Sequence, residues 1–160
     1  LYTFNADSSG HGQNTAVGYR AGYAMTAGTS NTAIGSDALD ALTTADNNVA
    51  VGAGAGGLAT TAAGSAFVGY GAGGSVTTGE ANICIGSNAG NYLNAITEGH
   101  SNIMIGMNAR NTANDNDYEI VIGRDTTGKG SNTATLRGTP YNTLDADWGT
   151  YSDKRIKKNI

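Results

Sequence analysis

A five-residue motif recurs seven times along this chain and constrains its fold more than any other feature. Each copy has a polar or acidic residue, three mostly apolar residues and a closing glycine, from Asn14-Thr-Ala-Val-Gly18 to Glu119-Ile-Val-Ile-Gly123. In the sequence numbering, the closing glycines step by 17, 17, 17, 17, 20 and 17. An alanine lies three residues after each glycine except the last, where Thr126 replaces it. A short, nearly constant period is typical of solenoid proteins.

The central residues of each motif have the composition of a short strand that a glycine turn ends. Seventeen residues are too few for a helical hairpin, and a chain with 25 glycines disfavours helices. We therefore predict an all-β parallel β-solenoid of seven roughly 17-residue repeats, each coil containing two short strands and two turns. Strands of neighbouring coils would pair about 4.8 Å apart, so seven coils would rise roughly 34 Å.

The motif also indicates where partners bind. Numbered from the asparagine, positions 2 and 4 share one face of the strand and position 3 lies on the other, because side chains alternate. Both faces are apolar, which is typical of a strand buried on both sides. One face can line the coil, whereas the other needs a cover that a thin solenoid lacks. We expect position 3 to face a partner chain, and the position 1 asparagines to form a buried amide ladder.

Composition excludes several classes of function. Charged residues are 14% of the chain, the net charge is −4 and the pI is near 4.9, which disfavours nucleic-acid binding. No apolar run approaches the length that a membrane-spanning helix needs, so we expect no membrane insertion. The chain begins without methionine or a signal peptide, and we expect it to be a fragment. One cysteine, Cys84, rules out an internal disulfide framework.

The last nine residues, Ser152-Asp-Lys-Arg-Ile-Lys-Lys-Asn-Ile160, carry a family resemblance. They resemble the opening signature of the intramolecular chaperone of phage tail fibres and tailspikes, the self-cleaving peptidase S74 type. The preceding N-T-A-[VI]-G-x-x-A repeats resemble the left-handed parallel β-roll of phage fibre proteins and the heads of trimeric autotransporter adhesins. The resemblance implies a left-handed, homotrimeric roll over 12–127. A lead-in at 1–11, an irregular neck at 128–151 and the truncated chaperone at 152–160 complete the predicted organisation.

The chaperone resemblance also implies chemistry. It implies self-cleavage of the Tyr151–Ser152 bond by a dyad of Ser152 and Lys157, in which the lysine takes the proton of the serine hydroxyl. Nine residues cannot build an oxyanion hole or desolvate Lys157, so we expect no cleavage in this chain. We predict no other enzymatic activity. A complete chaperone would also hold three chain ends in register, because a trimer shifted by one coil has nearly the same contacts.

These features together favour a structural segment of a virion tail fibre or spike, located on the virion and involved in host attachment. A host-surface receptor or glycan is a candidate partner. Two alternatives stay open: the head of a trimeric autotransporter adhesin, and a monomeric ice-binding β-solenoid. The second alternative rests on threonines that recur once per repeat, for which we favour a turn-capping role. These are Thr26, Thr43, Thr60, Thr77 and, after a three-residue insertion, Thr97.

The remaining chemistry-bearing residues suggest no catalytic centre, and we expect neither metal nor cofactor. His11 and His100 are isolated in sequence and are expected to be solvated or in turns. Cys84 is expected to be a small buried residue. Three tyrosines could contact a glycan: Tyr19, Tyr70 and Tyr92. Four acidic residues cluster without the spacing of a calcium loop: Asp115, Asp117, Glu119 and Asp125.

Overall fold

The computed structural model describes residues 12–91, 93 and 95–136. These residues contain no helix and form a β-solenoid of about seven coils, which confirms the predicted all-β class. Eight three-residue strands pair in parallel and in chain order to form one sheet. The strands are β1 Thr15–Val17, β2 Thr32–Ile34, β3 Val49–Val51, β4 Ala66–Val68, β5 Ile83–Ile85, β6 Ile103–Ile105, β7 Ile120–Ile122 and β8 Ala134–Leu136. We number coils 1 to 7 after strands β1 to β7.

The closing glycines explain why every strand is short. Their φ angles lie between 122° and 139°, a region that other residues rarely adopt. The next coil also passes very close. A Cβ on Gly35 would lie 2.5 Å from the carbonyl oxygen of Gly52, and one on Gly69 would lie 2.7 Å from the carbonyl carbon of Gly86. Each glycine therefore ends its strand and lets two coils stack.

Outside the strands, further backbone hydrogen bonds join neighbouring coils. The Leu39 N–H donates to the Ala55 carbonyl at 3.0 Å, and the Thr43 N–H donates to the Thr60 carbonyl at 3.0 Å. The prediction of two strands per coil is wrong for the described residues, which have one strand per coil. Residues with left-handed backbone conformation, such as Asp37 (φ 56°) and Asn47 (φ 62°), recur between the strands. Each one turns the backbone, so no stretch of the remaining coil stays extended long enough to form a second strand.

Position 3 of the motif lies inside the coil, so the expectation that it faces a partner chain is wrong. Positions 2 and 4 point outward, whereas all seven side chains at position 3 are buried. The buried side chains are Ala16, Ala33, Ala50, Phe67, Cys84, Met104 and Val121. The narrow interior holds one such side chain per coil. The Phe67 ring fits because Gly56 and Gly73 have no side chains, and a Cβ on either would overlap the ring.

The sheet extends beyond the predicted repeat region. Strand β8 lies within the stretch predicted as an irregular neck and pairs with β7, with Ile120 opposite Ala134. The step between these residues is 14, not 17, and Arg137 stands where a closing glycine would be. Regular parallel pairing therefore reaches Leu136, although the motif ends at Gly123.

The predicted ladder at position 1 is present and fully hydrogen-bonded along the chain. The Oδ1 of Asn31 accepts the backbone N–H of Asn48 at 2.9 Å, and the Oδ1 of Asn48 accepts that of Ser65 at 2.9 Å. Ser65 replaces one asparagine, and its hydroxyl oxygen accepts the Asn82 N–H at 3.1 Å. Buried polar groups stabilise a fold only when they are paired, and here each coil supplies the acceptor for the next.

Glu119 ends this ladder in coil 7. Its backbone N–H donates to the Oδ1 of Asn102 at 2.9 Å, and its side chain is fully buried. The carboxylate accepts the Gly130 N–H at 2.7 Å and the Asn116 Nδ2 at 3.0 Å. The longer side chain thus reaches the segment between β7 and β8 and binds its backbone at Gly130.

Candidate functional site

The predicted autoproteolytic residues lie outside the described residues. This applies to Ser152, Lys157 and the Tyr151–Ser152 bond, and also to His11. The self-cleavage assignment therefore stays a prediction. The surfaces of coils 1 to 7 are what the structure offers as candidate sites.

The most extensive candidate is the outer sheet face, which we define as positions 2 and 4 of strands β1 to β7. No charged side chain occupies these positions. Eight aliphatic side chains on this face are 36–42% exposed: Val17, Ile34, Val49, Val51, Val68, Ile83, Ile85 and Ile122. Single exposed aliphatic residues are ordinary, but a continuous apolar stripe on a soluble surface marks an interaction site.

In-register pairing makes this stripe continuous. Ile34 lies beside Val17 on one side and Val51 on the other, and the same alignment repeats along the sheet. Position 4 is aliphatic in all seven strands and, at about 4.8 Å spacing, forms a stripe about 29 Å long. Position 2 widens this stripe to two side chains except at Thr15 and Thr32. No described segment of the chain covers it, since the turns of each coil fold back on the opposite side of the strand.

The threonine ladder uses its hydroxyl groups inside the chain. Thr26, Thr43 and Thr60 each donate a hydroxyl hydrogen bond to the carbonyl of the equivalent threonine in the next coil, at 3.2, 3.0 and 3.1 Å. Thr77 donates to the Thr97 carbonyl at 3.0 Å. These bonds agree with the turn-capping interpretation, because each hydroxyl supports the stacking of two turns.

Cys84 is fully buried, as expected, and burial raises the pKa of its thiol to about 12. The thiolate is the reactive form of cysteine, so this residue is suited to packing and not to nucleophilic chemistry.

His100, Asp117 and Asp125 each make local hydrogen bonds with neighbouring coils or residues. The Nδ1 of the His100 ring accepts the backbone N–H of Glu80 at 3.1 Å, and the backbone N–H of His100 donates to the Asp117 carboxylate at 2.6 Å. Asp125 contacts Asn108 and Arg124, and these hydrogen bonds lower the pKa of its carboxyl. In the part of the chain that the structure describes, no three His, Cys, Asp or Glu side chains are grouped as a metal site.

Two of the three tyrosines that could contact a glycan lie among the described residues. Tyr19 and Tyr70 directly follow closing glycines in coils 1 and 4, and both are largely exposed. Tyr92 lies outside the described residues. Tyr19 and Tyr70 are three coils apart, so they do not form one aromatic platform.

The chain matches no protein-family model, no curated protein and no solved structure. Among residues 12–136, apart from 92 and 94, no helix is long and apolar enough to cross a membrane.

Proposed function

We propose that this chain is a structural segment of a virion tail fibre or spike, built from three identical left-handed β-rolls and involved in host attachment. The observation that carries the proposal is the outer sheet face. Its aliphatic side chains are up to 42% exposed in one chain, and burying apolar area contributes about 25 cal/mol per Å². A second and third copy of the chain would supply that burial without any other partner.

The shape of the outer sheet face suits self-association. Each coil repeats the previous one, so identical stripes can run side by side along a common axis. A dimer would also bury it. The number three comes from the resemblance of the N-T-A-[VI]-G-x-x-A repeats to trimeric phage fibres and adhesin heads.

A trimer of this kind faces a register problem. Neighbouring coils present nearly the same surface, so a trimer in which one chain is shifted by a single repeat loses only one coil of contact. A C-terminal chaperone that begins at Ser152 would align the three chains before the rolls form. Cleavage at Tyr151–Ser152 by Ser152 and Lys157 would then release the mature segment.

Two features weigh on the alternatives. The threonine hydroxyls bind carbonyl groups of the chain itself, which disfavours an ice-binding face. An autotransporter head would share the repeats and the outer sheet face, but its chain would continue into a coiled-coil stalk and a membrane anchor. The residues after Ile160 therefore discriminate between these two attachment proteins.

The test is expression of the chain with its natural continuation, followed by intact-mass analysis. We expect a new N-terminus at Ser152 and a trimeric N-terminal product. Ser152→Ala and Lys157→Ala should each leave the chain uncut, while Ser131→Ala, outside the dyad, should be cut normally. An uncut parent chain, or cleavage that persists in Ser152→Ala, would overturn the maturation step.

A further inference from the structure

A groove crosses the turns of coils 3 and 4. Two and five residues after the closing glycine, both coils have glycine: Gly54 and Gly57 in coil 3, Gly71 and Gly74 in coil 4. The flanking coils have polar side chains at the same places, Asp37 and Asp40 in coil 2 and Asn88 and Asn91 in coil 5. The absence of four side chains opens a groove of about 400 Å³, which we call the glycine groove. This volume is within the range of small-molecule sites.

One wall of the glycine groove is acidic. Arg20 holds Asp40 by a 2.6 Å contact between its guanidinium and the carboxylate, and lies 3.5 Å from Asp37. Two carboxylates against one guanidinium leave this wall with a net negative charge. Burial raises the pKa of Asp40, although the Arg20 charge opposes that shift.

The other wall carries amides that reach over coil 4. A Cβ on Gly71 would lie 2.6 Å from the Oδ1 of Asn88, and one on Gly74 would lie 2.9 Å from the Nδ2 of Asn91. Asn91 accepts a short hydrogen bond from Ser75. Within residues 12–91, 93 and 95–136, the side-chain amide of Asn88 and the Nδ2 of Asn91 have no hydrogen-bond partner. They are therefore available to a ligand.

We infer that the glycine groove binds a short, neutral oligosaccharide. Carboxylates accept hydrogen bonds from sugar hydroxyls, and amides both donate and accept them, so the two walls match a polyhydroxylated ring. Tyr70 and Leu58, 66% and 55% exposed, line the groove and offer apolar contact to the C–H face of a sugar. The negative wall disfavours acidic sugars.

This inference rests on the proposed attachment function and gives it a ligand class. Its failure is separable from that of the fibre assignment, because the groove lies within one chain. A trimeric, self-cleaving protein that binds no glycan would lose only this inference.

The repeat supplies a matched pair of variants for the test. Gly54→Asn with Gly57→Asn fills the groove with the residues that coil 5 carries as Asn88 and Asn91, and the φ of 55° at Asn88 shows that asparagine is accepted there. Gly64→Asn is the control. Gly64 has a φ of 65° and open space around its Cβ, and coil 2 carries Asn47 at the same place.

The 160-residue chain would be applied to an array of neutral di- to tetrasaccharides of glucose, galactose and N-acetylglucosamine, with sialylated counterparts. The best neutral binder would then be titrated by calorimetry. We expect Gly54→Asn/Gly57→Asn to weaken its binding at least about tenfold and Gly64→Asn to leave it unchanged. Asn88→Ala, which keeps the groove open, should weaken it by about fivefold or more. Binding of sialylated sugars alone, equal binding by the filled variant, or no binding at millimolar concentration would overturn the inference.

Discussion

The side-chain oxygen of Asn82 accepts two hydrogen bonds from Asn102, one coil away: the backbone N–H at 3.0 Å and the Nδ2 at 3.1 Å. The Nδ2 of Asn82 donates to the Gly99 carbonyl at 2.8 Å. Both asparagines are fully buried. One amide thus satisfies the residue that precedes strand β6 and a carbonyl group on the turn that leads to it.

Asn82→Leu should therefore destabilise the fold by about 2–5 kcal/mol, because it leaves the Asn102 N–H and the Gly99 carbonyl buried and unpaired. Asn82→Ser should cost less, since Ser65 already accepts a backbone N–H at this position of the ladder. Urea denaturation at one fixed protein concentration measures both variants. A smaller loss for leucine than for serine would contradict this account of the ladder.

Gly69→Ala tests the closing glycines. Its φ is 129°, and the added Cβ would lie 2.7 Å from the backbone of Gly86, so we expect a loss of at least about 3 kcal/mol or failure to fold. Gly64→Ala is the matched control at φ 65° with open space, and should cost only about 1 kcal/mol. Thermal unfolding of the pair measures the difference. Equal losses would show that close stacking of coils is not the constraint.

The Cys84 thiol should resist modification in the folded chain. Its pKa is raised to about 12, so at pH 8 it is protonated as well as buried. We expect labelling by iodoacetamide only after unfolding in denaturant, as followed by mass spectrometry. Rapid labelling of the native chain at pH 8 would contradict the buried placement of position 3.

The same shift predicts a pH dependence of stability. An unfolded thiol with a pKa near 9.0 loses its proton before the folded one does. The unfolded state then binds fewer protons, so stability falls as pH rises above about 9, by about 1.4 kcal/mol per pH unit. Cys84→Ala lacks the titrating group and should show a shallower decline. Parallel pH profiles for the two chains would contradict the assignment.

Variants of the outer sheet face should change assembly without changing the fold. Val51→Glu with Val68→Glu places charges where we propose a partner chain, and an unpaired buried charge is strongly unfavourable. Thr44→Glu with Thr61→Glu is the control, because Glu98 occupies the equivalent exposed position of coil 5. We expect the first pair to yield a folded single chain and the control to assemble as the parent does. Sedimentation velocity with circular dichroism measures both, and assembly of both pairs would contradict the interface.

The repeat allowed much of the fold to be predicted. Positions 2 to 4 of all seven motifs coincide with strands β1 to β7, because the closing glycine both ends the strand and sets the spacing of the coils. Strand β8 lacks that glycine and follows a shorter step, so the motif gave no signal for it. The prediction of a second strand in each coil was wrong, because residues with left-handed backbone conformation turn the chain repeatedly between the strands.

Alternation alone could not show which face of the strand points inward, since both faces are apolar. Which face points inward depends on whether its side chains fit into the space that the opposite part of the coil leaves free. Phe67 fits inside only because Gly56 and Gly73, eleven residues before it and six after it, carry no side chain. The glycine groove was not predicted from the sequence, for a related reason. The groove forms where two adjacent coils lack side chains that the flanking coils have, and this arrangement depends on how the coils stack.

The central claim is that the outer sheet face is buried between three copies of this chain. The most direct test is the solution mass by light scattering during size-exclusion chromatography. The account predicts a mass three times the 16.1 kDa of one chain. A folded, monodisperse species with the 16.1 kDa mass of a single chain, and with Val51 and its neighbours exposed to solvent, would contradict it.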